Sequence, residues 1–201
     1  MDFALLSRGL ILGFSIAAVV GPIGLLCLRR TLASGFALGF ASGLGAATVD
    51  ASYAAIASFG VSALASVLIG QRVGLRLVGG LILVYLGWRT LRALPAGRAA
   101  NASITGLDLV SAYSSTLALT FSNPMTIMSF AAIFAGIGSG SLDLVVGVFV
   151  GSAAWWMVLA GVASRLRSYF TPARLRLVNI ASGVLILGFG VQSLVSALLP
   201  T

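Results

Sequence analysis

Six stretches of the chain are apolar almost without interruption, and polar residues gather in the gaps between them. They run over roughly 4–28, 36–60, 73–94, 108–138, 142–163 and 178–199. An α-helix needs about 20 mostly apolar residues to cross the hydrocarbon layer of a bilayer, so each stretch predicts a spanning helix. The third is the shortest of them between charges. Arg76 and Arg89 enclose only the residues 77–88, and both guanidiniums are expected to snorkel to opposite interfaces. The fourth is too long for one simple span and is interrupted at Asn123-Pro124. The first carries a comparable defect in "AAVVGPIGLLCL", residues 17–28. A proline inside a helix loses a backbone donor and clashes with the preceding turn, at a cost of about 3 kcal/mol.

The two halves repeat. "LRLVGGLILVYLGWRTL" from Leu75 and "LRLVNIASGVLILGFGVQSL" from Leu175 align after a three-residue slip, which sets Gly80 on Gly183 and Gly87 on Gly190. Pro22 and Pro124 stand 102 residues apart, nearly the same offset. Three spans are an odd number, so the second half must enter the membrane from the opposite side. The predicted fold is an all-α membrane protein of six transmembrane helices. It forms a single domain over 1–201, built from two inverted three-helix repeats of about 1–94 and 108–201, with helices 1 and 4 broken. The polar stretch 95–107 between them reads as a cytoplasmic loop.

Composition agrees with lipid as a solvent. The chain is 59% hydrophobic and 8% charged, with mean hydropathy +1.12, against about 25% charged residues in an ordinary soluble domain. All twelve basic residues are arginine; Lys, Glu and His are absent and Asp occurs four times. A nucleic-acid binder gathers basic charge on one solvated face, whereas these arginines fall between apolar runs. The gaps after spans one, three and five hold Arg29 and Arg30; Arg89, Arg92 and Arg98; and Arg165, Arg167, Arg174 and Arg176. Arg8, Arg72 and Arg76 lie on the other side. The positive-inside rule then puts the larger set in the cytoplasm and both termini outside. A lone Cys27 and no His leave no disulfide, no paired-thiol chemistry and no expected transition-metal site or cofactor. Asp2 and Arg8 make a poor basic leader, so the first run reads as a span rather than a signal peptide.

The chemistry-bearing residues sit where the helices are defective. Non-helical backbone at membrane depth is tolerated only when it is buried in protein or lines a watery cavity. Interrupted helices at matching places in two halves point to a transporter's binding site. Gly21, Pro22 and Gly24 form one candidate group, and Ser122, Asn123, Pro124 and Thr126 the other. Asp50 lies deep in the second span. Its helical face carries Gly39, Gly43, Ala46, Ala47, Tyr53, Ala54 and Ala57, a small-residue stripe suited to close helix packing away from lipid. An acid at that depth costs at least about 2.5 kcal/mol and usually marks an ion or proton path. Asp50 is therefore a candidate proton carrier, a partner for a substrate ammonium, or half of an ion pair with Arg76 or Arg89. Tyr53 joins it as a candidate binding residue.

Other features read as structural. Asp108 and Asp143 open spans four and five, where acids suit helix N-termini. The glycine ladders Gly9/Gly13, Gly35/Gly39/Gly43 and Gly147/Gly151 permit close helix contact, within the chain or in a homodimer. Trp155 and Trp156 are expected to fill a core, and Trp88 and Tyr169 to anchor at the interface.

The Gly-Pro break, the run "RRTLASGFALGFASGLGAATVDASYAAIASFG" and "LTFSNPMTIMSFAAIFAGIG" together resemble the LysE/RhtB family of amino-acid exporters over nearly the whole chain. The resemblance implies a secondary transporter of the bacterial inner membrane, not an enzyme. It would export amino acids or related metabolites driven by the proton gradient or the membrane potential, with proton antiport the expected coupling. The family's signatures fall on Gly21 and Pro22, Gly35 and Gly39, Asp50, and Asn123 and Pro124. Val20 stands where many members have a leading proline, and Pro22-Ile23-Gly24 replaces the Ala-Gln-Asn run of basic-amino-acid exporters. A lysine or arginine substrate is therefore not expected. The competing expectation is a non-transporting membrane scaffold whose Gly/Ala faces pack partner helices. A solvated cavity touching Pro22, Asp50 and Asn123 discriminates the two.

Overall fold

The computed structural model describes residues 2–19, 21–59, 70–93, 105–123, 126, 130, 141–169 and 171–199. Among these the chain forms α1 (Phe3–Ala17), α2 (Pro22–Ser34), α3 (Phe36–Ser58), α4 (Arg72–Arg92), α5 (Gly106–Phe121), α6 (Leu142–Leu166) and α7 (Pro172–Leu198), with one short 3-10 turn at Arg167–Tyr169. The expected loop 95–107 and Pro124 lie largely or wholly outside the described residues.

Helix starts follow local capping chemistry. Asp2 accepts from the backbone N–H groups of Ala4 and Leu5 at 2.9 and 3.1 Å, satisfying donors that the first turn leaves open. Thr105 and Asp108 form a reciprocal capping box on α5. Ser141 caps α6, and Asp143 in its first turn also accepts from the backbone N–H of Asp2 at 2.7 Å. Thr171 caps α7, with Pro172 in its first turn. That helix begins six residues before the apolar run that predicted it. Arginines lower hydropathy without disfavouring a helix, so the polarity boundary and the helix boundary part there.

The break in the first span is sharper than a kink. α1 and α2 meet at an angle of 80°. Pro22 occupies the first turn of α2 behind an extended Gly21, φ −151° and ψ −174°, a position where its missing N–H costs nothing. α2 then turns into α3 at Gly35, whose φ of +94° lies in the region that favours glycine.

Among the described residues, α4, α6 and α7 are each long and apolar enough to cross a membrane, and α1 with α2 makes a fourth span if the bent pair counts as one. The protein is thus a multi-pass membrane protein, all-helical among the described residues. α3 has the length, at 23 residues, but Gly, Ala and Ser dilute its hydropathy because most of its surface is turned to other helices. α5 stops after 16 residues at Phe121, and most of the rest of the run 108–138 is outside the described residues.

Packing is pairwise. α1 lies along α6, α3 along both α5 and α6, and α4 along α7. The α1–α6 seam is made by the glycine ladders. A β-carbon on Gly9 or Gly13 would strike the backbone of Leu144 or Val148, and one on Gly147 or Gly151 the backbone of Leu6 or Leu10. Gly39 and Gly43 likewise meet Thr31 and Trp156. These ladders are consumed inside the chain, so a homodimer along a glycine-lined face would have to use other surface. In the α4–α7 seam Gly80 abuts Gly190, and Gly87 abuts Gly183, so the two helices run antiparallel.

Candidate functional site

Asp50 is buried at 4% exposure, and Gly39, Gly43, Ala46, Ala47, Tyr53 and Ala54 of its face are buried too. A small-residue face lets α6 approach closely enough for Ser152 to donate its hydroxyl to the Asp50 carboxylate at 2.7 Å. That hydrogen bond, rather than an ion pair with Arg76 or Arg89, is what the structure gives Asp50 among the described residues. Arg76 donates instead to the carbonyl of Ser196 at 3.0 Å.

Beside Asp50 lies a cavity of about 780 Å³, within the range that holds small-molecule ligands. Gly21, Pro22 and Gly24 line it from the start of α2; Thr120, Ser122 and Asn123 line it from the end of α5, together with Thr126. The break before α2, the end of α5 and the buried acid, far apart in the chain, therefore share one space. The remaining lining includes Ser15, Arg76, Trp156, Gln192 and Ser193, polar groups scattered over an otherwise apolar wall.

Tyr53 stands apart from this lining. It is 2% exposed, its hydroxyl donates to the Phe121 carbonyl at 2.6 Å, and its ring stacks on Phe121 with centroids 5.8 Å apart. It holds the terminus of α5 in place instead of facing the cavity. Trp156 is a core residue as expected, packed with Ala17, Cys27, Ala46 and Ala47, and it also reaches the cavity wall.

Ser152, Gln192 and the serines of α7 were not singled out from sequence; Arg76 was, but as a snorkelling residue or an ion-pair partner of Asp50 rather than as part of the cavity wall. Ser152 carried a legible signal: it follows Asp50 by 102 residues, the offset that separates Pro22 from Pro124. Hydroxyl residues in apolar helices are otherwise too common to stand out. Among the described residues, no three His, Cys, Asp or Glu side chains converge as a metal site would need.

A second cavity of about 580 Å³ lies further along α2, α4 and α5, lined by Arg29, Arg30, Arg89 and Arg92 with Asp108. Between the two sits a cluster of buried apolar side chains: Leu26, Leu83, Leu86, Leu119 and Ile186. Leu83 and Leu119 face the first cavity, and Leu26 and Leu86 the second.

The LysE type translocator family matches the chain over residues 14–197. YcgF of Bacillus subtilis (strain 168), whose name assigns it provisionally to amino acid efflux, is 26% identical over 190 residues, covering 90% of each chain. An uncharacterised membrane protein of Pseudomonas aeruginosa, PA4757, is 30% identical over 189 residues, covering 86% of each. No solved structure matches the chain.

Proposed function

Because the chain belongs to the LysE type translocator family, a family of transporters, we propose that it is a secondary exporter of amino acids or related small zwitterions. It carries them out of the bacterial cytoplasm across the inner membrane, driven by the proton gradient. The observation that carries this reading is the one cavity bounded by Asp50, by the break before α2 and by the end of α5. A packing scaffold would have no use for such a space.

The cavity suits a molecule with charge at both ends. The start of α2 offers backbone N–H groups without intrahelical acceptors and the positive end of a helix dipole, which favour a carboxylate. The end of α5 presents the negative end of its dipole, and Asp50 adds a carboxylate; both favour an ammonium group. Gly21, Pro22, Gly24, Ser122, Asn123 and Thr126 are assigned to binding on this basis, and Pro124, outside the described residues, on its place in the sequence beside Asn123. Asp50 can hold an ammonium or a proton but not both, so release of the substrate admits a proton. That exclusion couples the two flows in opposite directions.

Six spans in two inverted halves fit the packing. α1 runs parallel to α6, and α3 runs parallel to α5, as equivalent pairs in a repeat would. The seams of α3 with α6 and of α4 with α7 are antiparallel, as partners facing each other across a pseudo-two-fold axis must be. Under the 103-residue equivalence, the contact Gly80–Gly190 converts into Gly183–Gly87, which is the other contact in that seam. Rocking of the halves about such an axis gives alternating access. With the arginine-rich gaps inside and both termini outside, the leucine cluster closes the cytoplasmic end of the central cavity.

Cells overproducing the protein, challenged with a panel of toxic amino acid analogues, are expected to tolerate some of them and to accumulate less of those compounds. Tolerance to none, with the protein present in the membrane, would overturn the assignment.

A further inference from the structure

The arginine-lined cavity has no part in the central site. Among the described residues, four arginines and one acid line it, and several of these groups are already engaged. Arg30 donates to Ser42, Ala112, Ser115 and Thr116 at 2.8–3.0 Å, which ties α2 to α3 and α5. Arg92 lies over the Trp88 ring, 4.2 Å from its centroid, and Arg89 over Tyr85 at 5.7 Å. Asp108 is held by the backbone and hydroxyl of Thr105 at 3.0 and 2.7 Å.

Arg29 differs. Its Nε donates to the side-chain oxygen of Asn179 at 3.1 Å, and Asn179 is itself 4% exposed and fixed by donating to the Ala93 carbonyl at 3.2 Å. The guanidinium is thereby oriented, yet among the described residues its two terminal nitrogens have no hydrogen-bond partner. A half-buried fork of this kind, aimed by a buried amide into a cavity of excess positive charge, matches the geometry of a carboxylate.

We propose that this cavity is an oxyanion site in which Arg29 binds a carboxylate end-on through its terminal nitrogens, with Arg89 and Arg92 supplying further attraction. That the carboxylate belongs to the transported solute rests on the exporter reading; the anion site itself does not. In that case it is a loading site at the inner mouth. The solute's carboxylate meets Arg29 first and passes the leucine cluster to the start of α2 when the halves rock. The two cavities lie end to end along the same three helices, as successive stations on one path would.

Binding is measured on the purified full-length protein by calorimetry at constant ionic strength, with acetate, inorganic phosphate and lipid nanodiscs of phosphatidylglycerol or phosphatidylcholine as separate probes. Acetate is expected to bind saturably and about tenfold more weakly to Arg29→Gln, with Arg29→Lys in between because a point charge cannot make the paired contact. Asn179→Ala, which keeps the charge but frees its orientation, is expected to weaken acetate severalfold and decides the matter if Arg29→Gln does not fold. Equal acetate binding by wild type and variants, or none by wild type, overturns the site. Arg29-dependent binding of phosphatidylglycerol alone overturns the carboxylate assignment in favour of a lipid headgroup. Because none of these readouts needs transport, a protein that binds acetate but exports nothing would sink the exporter reading while leaving the site standing.

Discussion

Asp50 concentrates the chemistry of the molecule in one side chain. It is the one acid deep in an apolar run, and for that reason it was legible in sequence: membrane burial of a carboxylate is too costly to be idle. Its partner was less legible, since Ser152 declares itself only through the repeat offset. Tyr53 was drawn into the candidate site because it shares a helix face with Asp50. A face, however, is wide enough to touch two neighbours, and the tyrosine meets the end of α5 instead. If Asp50 carries the exchanged proton, Asp50→Asn should leave a folded protein, because the amide keeps the shape and can still accept from Ser152. It should abolish efflux driven by an imposed pH gradient in proteoliposomes. Undiminished pH-driven efflux would remove Asp50 from the coupling.

At the scale of helices, glycine decides how near two backbones can come. The α1–α6 seam depends on Gly9, Gly13, Gly147 and Gly151, each facing backbone atoms that cannot yield as a flexible side chain would. Gly13→Leu is expected to destabilise the fold by about 3 kcal/mol or more, seen as a lower midpoint in thermal unfolding in detergent. Leu10→Met, which alters only an adjacent, exposed side chain on α1, should shift it little. The ladders were legible as packing devices; which ladder meets which was not, because small residues are compatible with many partners. The proline break was equally plain in sequence. Its 80° angle was not, since Pro22 permits a new helix start in any direction and the surrounding helices choose one.

Across the whole molecule, Leu26, Leu83, Leu86, Leu119 and Ile186 separate two cavities, and on the exporter reading this barrier is what would keep solute flow tied to its driving force. Leu26→Ala combined with Leu83→Ala removes side chains from both faces of this cluster. Each truncation costs about 2–5 kcal/mol of packing, and together they should open a leak. Downhill flux of a transported compound is expected to rise while concentration against a gradient collapses, both measured in the same vesicles. Tight coupling in the double variant would show that the barrier lies elsewhere.

Sequence by itself determined that this chain lives in lipid, that its first span is broken at Gly21-Pro22, and that one acid lies deep in an apolar run. Each of those facts follows from the cost of placing polar groups or backbone defects in hydrocarbon, a cost that acts on every residue locally. Only the tertiary structure decided that the start of α2, the end of α5 and the acid line one cavity, that a leucine cluster divides it from an arginine-lined one, and that Asn179 aims Arg29. These are relations between residues up to 160 positions apart, as Leu26 and Ile186 are. They depend on which small faces pack together, and van der Waals contact between near-identical Gly/Ala stripes carries too little local signature to be read from the chain.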